Sequence, residues 1–297
     1  MVQIPENIIP KERIITNKSM AEYTTFGTGG KAELIIEPKT LQELKSVVKY
    51  FYESAAPYYV LGNGSNLLVS DGGVSKPVIH MGKEFSAINV FENCITAQAG
   101  ARLASIAQKA LENSLTGMEF AAGIPGTLGG ALIMNAGAYG GEMKDITEAV
   151  SFVDISGEEH IVSGEEMEFG YRKSALSDTD CIITGATLIL QKGNKEDITA
   201  KMAELAQKRR EKQPLEYRSA GSTFKRPVGN FAGTLIESCG LKGYRSGGAM
   251  VSEKHAGFVI NYDNANTEDI INVINHVKEC VYSEHGIMLE TEVKYWE

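Results

Sequence analysis

With 297 residues, the chain is too long for one small hydrophobic core and suits two domains or one large one. Hydrophobic residues at 43% and charged residues at 23% are ordinary for a soluble globular protein. A net charge of −9 with no long basic run excludes general binding of nucleic acid, which needs a basic surface to displace counterions from phosphates.

The N-terminal stretch MVQIPENIIPKER has no apolar run of signal-peptide length. Nowhere do about 18 apolar residues run together, so a cytoplasmic location with no membrane association is expected. The four cysteines, Cys94, Cys181, Cys239 and Cys280, are far apart with no CxxC pair. They read as reduced thiols, and no metal site is expected.

The first expected helix covers 40–56. Thr40 and Glu43 form a T-x-x-E capping box, and Leu41, Leu44, Val47, Val48 and Phe51 form an apolar stripe. Pro57 stops it. Tyr58-Tyr59-Val60-Leu61 is expected as a short buried strand running into Gly62-Asn63-Gly64-Ser65-Asn66, with a further strand at Leu67-Leu68-Val69. A second helix is expected over 102–113, with Leu103, Ile106, Ala110 and Leu111 on one side. The richest glycine segment follows, from Gly123-Ile124-Pro125-Gly126-Thr127-Leu128-Gly129-Gly130 to Asn135-Ala136-Gly137-Ala138-Tyr139-Gly140-Gly141. Strands are expected at 149–155 and 181–190, where β-branched residues dominate.

Gln191-Lys192-Gly193-Asn194 is the candidate domain boundary. A polar helix is expected from Glu196 to Lys212, ending at Pro214. An apolar-striped helix is expected from Thr267 to Glu284, with Ile270, Ile271, Ile274, Val277 and Val281 inward and Gly286 as its stop. In the last segment Leu289, Thr291, Val293 and Tyr295 alternate with Glu290, Glu292 and Lys294, as in a strand with one polar face. Strands and helices without a regular βαβ rhythm favour an α+β fold.

The two glycine loops point to an anion. Glycine lets backbone amides approach a phosphate closely and adopts positive φ. Loop 62–66 supplies two glycines, two asparagines and a serine directly after a strand, and loop 123–130 adds four glycines and a threonine. Together they could clamp a pyrophosphate from both sides. Neither is a Walker A motif, and no G-x-G-x-x-G follows a strand at the right place.

Several segments resemble the UDP-N-acetylenolpyruvoylglucosamine reductase (MurB) family. They are Thr25-Phe26-Gly27-Thr28-Gly29-Gly30, Leu61-Gly62-Asn63-Gly64-Ser65-Asn66, the 123–130 loop, Asn135-Ala136-Gly137-Ala138-Tyr139-Gly140, Tyr171-Arg172-Lys173-Ser174, Gly221-Ser222-Thr223-Phe224-Lys225-Arg226-Pro227 and Glu292-Val293-Lys294. The resemblance implies an N-terminal segment at 1–25, an FAD-binding domain of the vanillyl-alcohol-oxidase (PCMH) type at 26–192, and a smaller α+β substrate-binding domain at 193–297. It implies FAD held by Gly62, Asn63, Gly64, Ser65, Asn66, Gly123, Ile124, Pro125, Gly126, Thr127, Gly129, Gly130 and Gly137. None of the five histidines falls in a glycine loop, so the FAD is expected to be dissociable. The implied reaction passes a hydride from NADPH through FAD N5 to C3 of UDP-N-acetylglucosamine enolpyruvate, yielding UDP-N-acetylmuramate in peptidoglycan precursor synthesis. The chain looks like the shorter branch of the family, lacking the tyrosine-bearing lid loop, and no obligate protein partner is implied.

Hydride addition pushes negative charge onto the enolpyruvyl carboxylate, and a cation there stabilises the transition state more than the ground state. The resemblance puts Arg172 in that role, where a guanidinium can give two parallel donors. It makes Ser222 the proton donor to C2. A free hydroxyl is a poor acid, so its proton is drawn off by a neighbour, through water or by the developing carbanion. Glu292 orients the carboxylate or shares a proton. Tyr139, Lys212, Arg226 and Lys294 are candidates for the rest of the substrate. Arg226 stands where other members carry asparagine, and Lys294 where others carry arginine. Two other readings compete: an oxygen-using oxidase of sugars or alcohols on the same fold, and a non-catalytic nucleotide-sugar binder.

Overall fold

The computed structural model describes residues 4–297, so the first three residues of the expected segment 1–25 lie outside the described residues. The chain forms two compact units, each assembled from three stretches. The first runs to Ile15 and takes in Leu34–Asn63 and Lys76–Arg209; the second comprises Thr16–Glu33, Gly64–Ser75 and Arg210–Glu297. Strands Ile14–Ser19 and Lys31–Ile36 carry the chain from one unit to the other, so no single cut in the sequence separates them. The position 192/193 falls inside the first unit. There Gln191–Lys192 pairs antiparallel with Leu115–Thr116, and Gly193 N donates to Ser114 O at 2.9 Å.

The first unit is organised on a five-stranded antiparallel sheet in the order Glu159–Ser163, Thr147–Val153, Ile182–Ile189, Cys94–Gln98, Ile88–Phe91. Val150 lies opposite Ala186, which lies opposite Ala97, so one face of the pleat delivers small apolar side chains to the core. Helix α1 (Leu41–Glu53) buries Leu44, Val47, Val48 and Phe51 in that core. Its capping box is formed as the sequence predicts: Glu43 N donates to Thr40 Oγ1 at 3.1 Å, and Thr40 N donates to Glu43 Oε2 at 3.3 Å. Helix α2 (Leu103–Glu112) adds Leu103, Ile106, Ala107 and Ala110.

A second, four-stranded sheet has the order Ile14–Ser19, Lys31–Ile36, Val78–His80, Tyr59–Leu61, and its last two pairings are parallel. Tyr59–Leu61 is therefore an edge strand rather than the buried one expected. Leu61 is buried, but Val60 is 39% exposed. Helix α3 (Leu128–Ile133) is a short helix that opens within the second glycine loop, and helix α4 (Lys195–Lys212) buries only Ile198 and Leu205.

In the second unit, helix α5 (Ala232–Ser238) and helix α6 (Thr267–His285) share a core with an antiparallel sheet of Arg245–Ser246, Ala249–Val251 and Val259–Asn261. Helix α6 buries Ile270, Val273, Ile274, Val277 and Val281, while Ile271, expected inward, is only partly buried. Gly286 ends it at φ +66°, the left-handed stop that a glycine adopts without Cβ strain. The expected C-terminal strand is shorter than its alternation suggests. Leu289 and Val293 are buried, but regular pairing begins only at Lys294–Trp296, parallel to Leu67–Val69. Before that point the chain pairs with a different partner, Phe224 opposite Thr291, and Tyr295, expected on the same face as Leu289 and Val293, is 46% exposed.

Thr40→Ala removes the reciprocal cap of α1 and should lower global stability by about 1 kcal/mol, with Thr40→Ser near neutral. Denaturant midpoints of the three proteins measure this, and an unchanged midpoint for Thr40→Ala would show that the cap adds nothing.

Candidate functional site

The residues singled out from the sequence divide between the units. Gly62, Asn63, the 123–130 loop, Gly137, Tyr139 and Arg172 belong to the first; Gly64, Ser65, Asn66, Lys212, Ser222, Arg226, Glu292 and Lys294 belong to the second.

In the first unit the two glycine loops touch. Asn63 Nδ2 donates to Pro125 O at 2.6 Å, and a Cβ on Gly62 would lie 2.4 Å from Thr127 Oγ1. Only glycine permits that approach. Part of the second loop is fastened to its own unit: Ile124 N donates to Ala121 O at 3.0 Å, Leu128 N to Ala101 O at 2.9 Å and Gly129 N to Ala99 O at 2.9 Å. These amides hold the loop's shape. Gly137 sits in the strand Gly137–Ala138, where a Cβ would meet Glu142 Cγ at 2.7 Å, so the hairpin packs too closely there for a larger residue.

Beside this loop lies a cation the sequence reading did not single out. Arg209 Nη1 would be 2.8 Å from a Cβ on Gly123, so the missing side chain makes room for the guanidinium. Its Nε is buried with no hydrogen-bond partner among the described residues. Burial lowers its pKa, opposed by the nearby Tyr139. A buried, unsatisfied donor costs about 1–3 kcal/mol and is normally retained for a partner. The donor set and the glycine cradle thus fit the anionic part of a flavin dinucleotide. The available signal was spacing: Ile198, Met202, Leu205 and Arg209 lie on one helical stripe, whereas Lys208 and Arg210 are exposed.

Tyr139 and Arg172 occupy tight turns. Tyr139 and Gly140 have φ +54° and +89°, the two positive values of a type I′ turn joining Gly137–Ala138 to Gly141–Glu142. Arg172 has φ +54° in a turn closed by Gly170 N donating to Lys173 O at 2.9 Å. Positive φ is uncommon for side chains of this size and concentrates at functional sites. Near Arg172 is Glu142, whose carboxyl is held below the usual range chiefly by its bond to Lys144, with contributions from Asn135 and the Arg172 charge.

In the second unit, Thr223 is the staple. It is fully buried; its N donates to Gly257 O at 2.9 Å and its Oγ1 accepts from Val259 N at 3.0 Å. Its carbonyl accepts from Glu292 N at 2.8 Å. Exposed Ser222 is thus anchored next to the segment carrying Glu292. Asn66 closes the other side, donating through Nδ2 to Glu292 O at 3.0 Å and accepting from Lys294 N at 3.0 Å. In the sequence Thr223 stands out only as part of its motif, because a threonine that will be buried looks like any other there. Arg226 lies over the Phe231 ring at 4.0 Å, and Lys212 and Lys294 are exposed.

Behind Thr223 stands His255, whose Nδ1 accepts from Gly257 N at 3.1 Å. Burial lowers the pKa of His255, Lys242 lowers it further, and a backbone bond and Glu237 oppose the shift. No group of three or more His, Cys, Asp or Glu among the described residues is placed to hold a metal, and no described helix is long and apolar enough to cross a membrane.

Comparison with known proteins adds to this geometry. Residues 213–296 match the family profile "UDP-N-acetylenolpyruvoylglucosamine reductase, C-terminal domain", and residues 32–163 match an FAD binding domain. A UDP-N-acetylenolpyruvoylglucosamine reductase from Clostridioides difficile is 48% identical over 97% of this chain and 95% of its own. The crystal structure of such a reductase from Thermus caldophilus superimposes with a TM-score of 0.83 at 39% identity, covering 96% of this chain and 98% of that one. A Phl p 4 variant, a glucose oxidase, shares the fold alone, with a TM-score of 0.53 at 17% identity over 64% of this chain and 43% of that one.

Two outcomes are expected. Gly62→Ala should drive the loops apart and reduce flavin retention, read as visible absorbance per protein. The double variant with Thr127→Ala, whose nearest remaining side-chain atom is Cβ at 3.7 Å, should be no worse than Thr127→Ala alone. A depressed His255 pKa means that the unfolded chain takes up the proton first. Stability is then complete above the ordinary histidine value of about 6.5 and falls as pH drops from there through the lower folded value. His255→Asn, which keeps an acceptor for Gly257 N, should lose that part of the decline in melting temperature; identical pH profiles would refute the assignment.

Proposed function

Because the chain belongs to the UDP-N-acetylenolpyruvoylglucosamine reductase family and is an FAD-dependent oxidoreductase, we propose that it reduces UDP-N-acetylglucosamine enolpyruvate to UDP-N-acetylmuramate with NADPH as reductant. The observation that carries this reading is the join in the second unit. There Asn66 of a glycine loop, Glu292 and Lys294 of the C-terminal motif, and the segment bearing Ser222 are tied by direct hydrogen bonds. Three family motifs distant in sequence converge on one small region.

FAD held by the glycine loops would supply, from NADPH, the hydride that reduces C3 of the enolpyruvyl group. The chain's own residues do the rest. Arg172 neutralises the charge that grows on the substrate carboxylate as C3 is reduced. Ser222 gives its proton to C2, aided by the negative charge developing there. Glu292 orients the same end of the substrate or shares a proton with it. Tyr139, Lys212, Arg226 and Lys294 bind the UDP-sugar portion. Gly62, Asn63, Gly64, Ser65 and Asn66, the 123–130 loop and Gly137 hold the non-covalent FAD, with Arg209 as an added cation. We assign FAD binding to 26–192 and substrate binding to 193–297, with Tyr139 and Arg172 as substrate contacts supplied by the former and Arg209 as a cofactor contact supplied by the latter, and place the reaction in the cytoplasm.

The test is anaerobic and has two steps. NADPH should bleach the bound flavin, and the UDP-enolpyruvyl sugar should restore its colour. Ser222→Ala should leave the first step nearly unchanged and slow the second by at least about 100-fold, the usual contribution of a placed proton donor. Equal slowing of both steps would remove the proton-donor role, and a protein that takes up no flavin would remove the whole reading.

A further inference from the structure

We propose that Asn135 is a positioning residue that fixes both the turn carrying Arg172 and the hairpin carrying Tyr139, acting on the substrate only through them. The proposal rests on the substrate roles given above to Arg172 and Tyr139.

Asn135 is 2% exposed, and both ends of its amide have partners. Nδ2 donates to Glu142 Oε2 at 2.8 Å and to Gly170 O at 3.1 Å, while Oδ1 accepts from Lys144 N at 3.0 Å. Two donors and one acceptor meet two acceptors and one donor, so no other side chain of this size satisfies all three. Gly170 is the residue that closes the Arg172 turn, through paired bonds with Lys173. Glu142 is the last residue of the hairpin whose tip is Tyr139, paired with Gly137. One buried amide therefore grips the base of both turns.

A second anchor supports the Arg172 turn from the same stretch of chain. Ile133 O, at the end of α3, accepts from Ser174 Oγ at 3.0 Å and from Ser177 Oγ at 2.7 Å, and Ser174 N donates to Ser177 Oγ at 2.8 Å. Helix α3 begins at the second glycine loop, so residues 133–135 connect the cofactor loop rigidly to the arginine turn. Asn135 itself sits at φ +42°, a conformation that asparagine tolerates better than most residues. Two explanations of an asparagine here are thus separable: backbone tolerance, which glycine would supply equally well, and the three side-chain bonds, which glycine cannot make.

Asn135→Gly is the decisive variant, because it relaxes the backbone and removes only the amide. We expect it to retain flavin, and its flavin should be bleached by NADPH within about twofold of the wild-type rate. Restoration of colour by the UDP-enolpyruvyl sugar should slow about tenfold, equivalent to about 1.4 kcal/mol of lost transition-state stabilisation. Asn135→Asp, which sets a carboxylate against two acceptors, should slow that step at least as much. In an Arg172→Ala background, Asn135→Gly should add little further slowing, because the residue it positions is gone. Should Asn135→Gly fail to retain flavin, Ser177→Ala carries the test, with the same selective loss expected in the second step. A normal second step in Asn135→Gly, a loss shared equally by both steps, or full multiplication with Arg172→Ala would each overturn the positioning role. If Arg172→Ala itself reduces substrate at the normal rate, it is the role of Arg172 that fails, and the positioning claim falls with it.

Discussion

The bonds between Asn66 and the Glu292–Lys294 segment are the constraint on which the second unit's arrangement depends. The first joins residues 226 positions apart, and both use the main chain of the partner segment: the Glu292 carbonyl accepts, and the Lys294 amide donates. Closing so long a loop is entropically costly, so the contact must be supported by others. It is. The neighbouring Leu67–Val69 pairs in parallel with Lys294–Trp296, and the Asp71 carboxylate accepts from Thr267 N at 2.9 Å and Glu268 N at 3.0 Å, capping α6. A stretch that follows a glycine loop is thereby sewn to both the last helix and the last strand.

Some of the strained backbone lies at candidate site residues and some lies elsewhere, at Ala55, Glu92 and Ser114 for example. Asn135, Tyr139 and Arg172 all hold positive φ in the first unit; Tyr139 sits in a hairpin turn and Arg172 in a turn closed by Gly170 and Lys173. Turns of this kind stay in sparsely populated backbone regions only when the surroundings over-determine them. The result is an arginine and a tyrosine presented at the tips of short turns.

The charge balance follows the same logic. The chain is acidic overall, yet the glycine cradle has a half-buried guanidinium beside it, and Tyr139 lies near enough to Lys208 and Arg209 to influence both. Net charge governs long-range encounters, whereas a small anion is recognised by a few oriented donors inside a low-dielectric site. A net negative protein can therefore bind a dinucleotide and a nucleotide sugar.

Local signals were legible in the sequence because they depend on residues close in the chain. The capping box of α1, the glycine stop of α6 and the strands expected at 149–155 and 181–190, found at 147–153 and 182–189, all follow from spacing and side-chain chemistry. The family motifs were legible for the same reason. The tertiary structure alone decided the rest. It made Tyr59–Leu61 an edge strand, gave residues 289–296 two successive partners, and interleaved the two units instead of dividing the chain once. It also turned Asn135 and Thr223 from ordinary motif positions into buried hydrogen-bonding hubs, and enclosed Arg209 Nε without a partner. Burial and hydrogen-bond partners are properties of residues distant in sequence, and no local pattern encodes which amide, guanidinium or hydroxyl will be enclosed by them.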